Sequence, residues 1–346
     1  MKRSFIGLLA AILVMQPARA RGENGSTENI AQLQIAARQG DAIAQNRLGL
    51  LYHTGQGVKQ DYAEALRWYR QAAAQGRAWA QLSLGIMYEK GQGVPQDYAE
   101  ALQWYLKAAG QGLAKAQYNA GLAYQKGRGV KQDYAEASQW FLKAAEQGFA
   151  EAQNKLGLLY DSGLGVRQDY AEAAGWFRKA AMQDHAWAQN NLGAMYLTGL
   201  GVGQDHAEAA GWFRKAAVKG IALAQNNLAL MYYSGQGGKQ DFAEAASWFR
   251  KAAMQNHAWA QNNLGVMYEK GLGVPQDYAE ALRWYRKAAA QDISEAQYSL
   301  GVLYENGRGV TQDRQQAKEW FSKACNNGFK PACDHTAVTA RKETEH

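Results

Sequence analysis

Residues 41–76 read DAIAQNRLGLLYHTGQGVKQDYAEALRWYRQAAAQG, and residues 77–112 read RAWAQLSLGIMYEKGQGVPQDYAEALQWYLKAAGQG. The second stretch restates the first at a spacing of 36 residues, and that restatement decides the fold. Further copies start at Leu113, Phe149, His185, Ile221, His257 and Ile293 without insertion, so eight copies cover residues 41–328. A period of about 20–50 residues marks one supersecondary unit repeated along the chain, whereas length alone would suggest two or three separate globular domains.

Each copy carries two sets of apolar residues at helical spacing. In the first copy Ala44, Leu48, Leu51 and Tyr52 form one set, and Ala65, Trp68, Tyr69, Ala72 and Ala73 form the other, at i, i+3, i+4, i+7 and i+8. Gly55 and Gly57 between them allow the positive φ of a tight reversal. The spacing therefore predicts a helix–loop–helix unit. Asp61 opens the second helix as an N-cap, and Glu64, three residues on, completes the pattern of a capping box. Gly76 and its equivalents end that helix; Asp184, Asn256 and Asp292 stand in for it in three copies. One such hairpin cannot bury its aromatic face alone, so the copies are expected to stack into a continuous α-solenoid core. The eight tryptophans Trp68, Trp104, Trp140, Trp176, Trp212, Trp248, Trp284 and Trp320 form one column of that core.

The ends of the chain read differently. Lys2 and Arg3 precede an apolar run from Phe5 to Met15, and Ala18-Arg19-Ala20 is a small-x-small cleavage pattern, so residues 1–20 are expected to be an export signal. The run is too short for the roughly 20 residues that span a bilayer. No stable membrane insertion is expected after cleavage, and the mature chain is expected to be periplasmic or secreted. Removing Lys2, Arg3 and Arg19 lowers the basic count from 38 to 35 against 31 acidic residues, and the formal charge from +7 to +4. So weak a charge, on an exported chain, argues against nucleic acid as a partner. Residues 21–40 read as a linker and a capping helix, with Ala36-Ala37 and Gly40 matching the end of a second helix; residues 329–346 read as a C-terminal cap and polar tail. Cys325 and Cys333 are the only cysteines. In an oxidising compartment an isolated pair is read first as a disulfide, which here would staple the last half-repeat to the array. The other reading, a metal site, would need two more ligands, and only His335 is near in sequence.

The motifs Ala-x-Ala-Gln-x-x-Leu-Gly-x-x-Tyr, Gly-x-Gly-Val and Asp-Tyr-x-x-Ala-x-x-Trp-Tyr/Phe-x-x-Ala-Ala resemble Sel1-like repeats, relatives of the tetratricopeptide repeat. The resemblance implies an all-α fold, a right-handed α-solenoid with the first helices lining its concave surface. It also implies an exported scaffold or adaptor that holds a protein or peptide in that groove, in envelope maintenance or host interaction, with no cofactor. The cysteine pair is similar to the inter-helix disulfides of the cysteine-rich secreted branch, although it occurs once here. Penicillin binding and weak β-lactamase activity, associated with some of those relatives, make a peptidoglycan- or β-lactam-acting enzyme the competing implication.

Because packing accounts for the repeated positions, binding information is expected where copies differ. Helical rotation groups the third, sixth, tenth and thirteenth positions of the first helix on one stripe. The third position holds Ile43, Trp79, Lys115, Glu151, Trp187, Leu223, Trp259 and Glu295, and the thirteenth includes Tyr233. Trp79, Trp187 and Trp259 sit where packing does not demand an aromatic, and exposed aromatics are typical anchors; the alternative is that each covers a neighbouring repeat. Asn190-Asn191, Asn226-Asn227 and Asn262-Asn263 follow at the sixth and seventh positions, where carboxamides could bond a peptide backbone or simply be solvated. Lys107, Lys143, Lys179, Lys215, Lys251, Lys287 and Lys323 make a basic column on the second helix. It could meet an anionic polymer or be a solvated face. No catalytic set is evident: Gly55-Gln56-Gly57-Val58 lacks the third glycine and preceding strand of a dinucleotide fingerprint, and Asp61 and Glu64 are assigned to capping.

Overall fold

The computed structural model describes residues 30–335, so the export signal expected at 1–20 and the tail beyond 335 lie outside the described residues. The described chain is helical throughout, with seventeen complete helices and no strand among the described residues. It divides into two compact units at Gln96/Asp97.

The first unit holds α1 (Ile30–Arg38), α2 (Ala42–Thr54), α3 (Tyr62–Ala74) and α4 (Ala78–Lys90). The second unit holds α5 (Tyr98–Gly110), α6 (Ala114–Lys126), α7 (Tyr134–Glu146), α8 (Ala150–Ser162), α9 (Tyr170–Met182), α10 (Ala186–Thr198), α11 (His206–Val218), α12 (Ala222–Ser234), α13 (Phe242–Met254), α14 (Ala258–Lys270), α15 (Tyr278–Ala289), α16 (Ser294–Asn306) and α17 (Arg314–Asn326). Leu33 and Ala37 of α1 pack with Ala44, Leu48 and Trp68.

Inside hairpins such as the first and the seventh the two helices come close because the first presents glycine, a place that Ala229 takes in the sixth copy. A Cβ on Gly49 would lie 2.7 Å from the Tyr69 ring, and one on Gly265 would lie 2.7 Å from Tyr285. Between hairpins, each second helix packs its Ala and aromatic face on the next first helix. In one such cluster Ala173, Phe177, Ala180 and Ala181 of α9 meet Ala188, Leu192 and Met195 of α10. Burying one large apolar side chain is worth about 1.5–3 kcal/mol, so the clusters shared between copies stabilise the array where a lone hairpin would be marginal.

The capping prediction holds in one half and fails in the other. Asp61 Oδ1 accepts from the N–H of Ala63 and Glu64 at 2.9 and 3.0 Å. Glu64 does not reach back to Asp61, whose own N–H donates instead to the Tyr52 carbonyl at 2.9 Å. The loop has already satisfied that donor, which releases the glutamate for other partners. The stop signals are as expected: Asp184, Asn256 and Asp292 take φ of 70, 64 and 61°.

The column Gln45, Gln81, Gln117, Gln153, Gln189, Gln225, Gln261 and Gln297 is buried. Gln153 Nε2 donates to the Ala145 carbonyl at 3.1 Å, near the end of the preceding second helix, and its Oε1 accepts from Gln183 Nε2 at 2.8 Å. These amides satisfy helix-end carbonyls that would otherwise be buried without partners. In the fifth copy Lys219 replaces the second glutamine, and Gln189 Oε1 is left without a partner.

At the C-terminus Cys325 and Cys333 form a disulfide, which ties α17 to the helical turn at 330–335. His335 stacks on Phe321 at 4.1 Å and bonds Glu305 at 3.1 Å, so the cap is packed as well as stapled.

Candidate interaction surface

The exposed face of the first helices is built from the third position of each copy upward. Trp187 on α10, Leu223 on α12 and Trp259 on α14 are 51%, 39% and 47% exposed. Side-chain hydrogen bonds tie these three helices side by side: Asn227 Nδ2 donates to Asn190 Oδ1 at 3.3 Å, and Asn263 Nδ2 to Asn226 Oδ1 at 3.4 Å. The two tryptophans and the leucine therefore stand in one row. Trp79, on α4 of the first unit, is half-buried.

The asparagine pairs occupy a different place from the one expected. Asn190, Asn226 and Asn262, at the sixth position, are buried, and Asn191, Asn227 and Asn263 are half-buried. They form a ladder between copies that begins at Asn154, which accepts from Asn191 Nδ2 at 3.0 Å. The reason is rotation: the sixth position follows the buried glutamine at the fifth and turns inward, so the outward stripe is the third, seventh and tenth positions. The carboxamides of Asn190, Asn226 and Asn262 are buried and used in joining helices, so neither peptide-facing nor solvated describes them, while Asn191, Asn227 and Asn263 join the ladder from the half-buried outer stripe. The ladder ends at Asn262, whose Oδ1 is buried without a partner because the next copy supplies Ser299 where an asparagine would donate.

The tenth position is exposed at Leu158 and Leu230, which adds aliphatic surface beside the ladder. The thirteenth position is occupied in packing. Tyr233 is half-buried and meets Phe242 edge-on at 5.4 Å, and Glu269 accepts from Tyr285 Oη at 2.6 Å. Burial, with the Glu269 charge second, pushes the Tyr285 hydroxyl far above its ordinary range.

His185 and His257 open the two tryptophan-bearing helices. Their Nδ1 atoms accept from the N–H of Ala188 at 3.1 Å and Ala260 at 3.2 Å. Burial holds both imidazoles below their ordinary pKa, which keeps them neutral and fit to cap. Ile221, opening α12, makes no such bond.

On the other side of the array, the lysine column lies over the tryptophan column. Lys179, Lys215 and Lys251 stand 3.7, 3.9 and 3.6 Å from the ring centroids of Trp176, Trp212 and Trp248. The glutamates released from capping accept from indole N–H groups in three copies, as Glu136 does from Trp140 at 3.0 Å. Among the described residues no group of His, Cys, Asp and Glu could hold a metal, and the disulfide closes the metal reading of Cys325 and Cys333. No described helix is long and apolar enough to cross a membrane.

The Sel1 repeat model matches residues 42–76, 80–113, 114–149, 150–185, 188–220, 222–257, 260–293 and 294–329. The chain belongs to the Sel1 repeat family. It is 43% identical to a solved protective antigen of uropathogenic Escherichia coli displaying an SLR fold, over 90% of this chain and 68% of that one, with a TM-score of 0.85. A solved Sel1 repeat protein from Oxalobacter formigenes is 32% identical over 96% of this chain and 99% of that one, with a TM-score of 0.67. No curated protein matches the chain. Sel1-repeat solenoids serve in general as protein–protein interaction scaffolds.

Sequence reasoning missed the glutamine column and Asn154. The signal was present, since Gln recurs at the fifth position of all eight copies, but a buried amide is recognised only once the facing carbonyl is known.

Proposed function

We propose that this Sel1-repeat protein is an exported scaffold that binds a protein or peptide along the first helices of copies five to seven. The observation that carries the reading is the row Trp187, Leu223 and Trp259, three large apolar side chains at successive copies that each keep a large exposed face. Singly exposed apolar residues need no explanation, but a row at the repeat spacing is the form an anchor site takes. The Asn154–Asn263 ladder holds the helices in register and so preorganises the row. Export is supported by the reading of residues 1–20, by the disulfide and by the similarity to a protective antigen.

The test is affinity capture from the envelope fraction of the source with the mature protein and with Trp187→Ser/Trp259→Ser. A specific partner that the wild type retains and the double variant loses, at unchanged helicity, supports the row. Retention by both removes it.

A further inference from the structure

Between α13 and α15, on the second-helix side, lies a cleft of about 670 Å³ lined by Arg250, Met254, Tyr268, Glu280, Arg283, Trp284 and Lys287. Pockets of about 300–1,000 Å³ hold small ligands or single side chains. Three cations face one carboxylate there, and Met254 offers a 76% exposed apolar lip.

Trp284 is 4% exposed, and its Nε1 has no acceptor. A buried donor without a partner is destabilising. The chain itself shows the partner it lacks. In the third, fifth and sixth copies the glutamate four residues earlier accepts from this nitrogen: Glu136 from Trp140 at 3.0 Å, Glu208 from Trp212 and Glu244 from Trp248 at 3.1 Å. In those copies the residue before the tryptophan is Gln139, Gly211 or Ser247, none of which carries a charge. In the seventh copy it is Arg283, which takes Glu280 at 3.0 Å and leaves the indole unpaired. Trp104 Nε1 is also unpaired, without such an arginine. Arg283 and Lys287 both lie over the Trp284 ring, at 5.3 and 4.4 Å, and Arg250 faces them from α13, bonded to Tyr268 Oη at 2.7 Å.

We propose that this cleft is a binding site for a carboxylate-bearing ligand, which exchanges with Glu280 on Arg283. The incoming carboxylate takes the guanidinium fork with Arg250 and Lys287 beside it, and its aliphatic part lies on Met254. Glu280 then turns to Trp284 Nε1, as its counterparts do elsewhere in the array. Carboxylate is the chemistry favoured because Arg283 already holds that of Glu280, and because guanidinium and carboxylate match in bidentate geometry. The first copy supplies an internal control. There Arg67 also holds Glu64 and leaves Trp68 Nε1 unpaired, but Gln34 and Gln71 stand where Arg250 and Lys287 stand.

The exchange is read from the indole N–H resonances of ¹⁵N-labelled protein, with Trp284→Phe and Trp68→Phe assigning two of them. Sodium glutarate, a peptide acetyl-Leu-Glu-Leu-amide and sodium chloride at equal ionic strength are the probes. The expected result is a saturable shift of the Trp284 resonance toward those of Trp140, Trp212 and Trp248, with Trp68 unmoved and chloride without effect. A response to glutarate alone assigns a free organic acid, and a response to the peptide alone assigns an acidic side chain of a partner; either supports the site. Arg283→Ser, which puts before Trp284 the residue type that precedes the paired Trp248, should place the Trp284 resonance at its liganded value without ligand and weaken binding at least tenfold. No shift with either carboxylate, an equal shift with chloride, or unaltered binding to Arg283→Ser overturns the proposal.

Discussion

Gly201→Ala should damage the array far more than Gly148→Ala, although both glycines are left-handed. Gly201 lies in the loop of the fifth copy at φ 69°, and a Cβ there would overlap the carbonyl group of Tyr170 at the start of α9. Gly148 ends α7 at φ 84° with nothing within 4 Å of where its Cβ would be. The left-handed conformation costs a non-glycine residue about 1–2 kcal/mol, and that is the whole expected effect at Gly148. At Gly201 the overlap is with backbone, which no rotamer change relieves, so the loop must withdraw from α9. Overpacking of that kind adds about 1–3 kcal/mol, for a total of about 2–5 kcal/mol. The loss falls on one interface between copies, so urea unfolding followed by circular dichroism should broaden or split in Gly201→Ala, because a solenoid's cooperativity rests on neighbour interfaces. Gly148→Ala should only shift the midpoint. Equal effects of the two substitutions would refute the argument that backbone contact between copies excludes a side chain at this loop position.

The two histidine caps, with His53 buried inside α2, make stability depend on pH. Burial lowers the pKa of His53, His185 and His257 from the ordinary 6.5, so the unfolded chain binds more protons than the folded one below that value. Stability is then full above about pH 6.5 and falls as the pH drops toward the lowered values; His185→Asn/His257→Asn, which caps at any pH, should flatten much of the loss of melting temperature between pH 7.5 and 5. Reducing Cys325–Cys333, a bond closing eight residues, should cost about 2.5 kcal/mol by loop entropy. Hydrogen exchange should quicken at 330–335 and leave α14 unchanged. Mature protein incubated with labelled penicillin should remain unacylated; stoichiometric labelling would refute a purely scaffolding role.

The periodic parts of the molecule were legible because they are local. Asp61, Gly55 and Asp184 act through their own backbone neighbours, and the pattern around each states its role. The failures occur where a side chain has a choice of partner in the next copy. Glu64 and Asp61 fit a capping box, but the Asp61 N–H was already satisfied by Tyr52, which lies nine residues earlier across the loop. The asparagine pairs look like surface amides because an ideal helical wheel leaves the sixth position at the border of the buried face. Their ladder depends on the distance between α10, α12 and α14, and no single copy contains that distance. The third-position tryptophans stood out for the opposite reason, because the repeat fixes no residue type there; Trp187 and Trp259 are about half exposed, whereas Trp79 is half-buried.

The same contrast bears on how a repeat array acquires function. Eight copies share caps, turns and core, and three departures force a rearrangement that can be followed. Lys219 for glutamine orphans Gln189 Oε1, Ser299 for asparagine orphans Asn262 Oδ1, and Arg283 draws Glu280 from Trp284. In a solenoid such a change is felt chiefly by adjacent copies, so a site can be built at one interface without disturbing the rest. A departure that leaves a buried polar atom unpaired is destabilising unless something else supplies the partner. The cleft at Trp284 combines such an atom with space and with charge of the right sign, which is why it, and not the buried ends at Gln189 or Asn262, carries the expectation of a ligand.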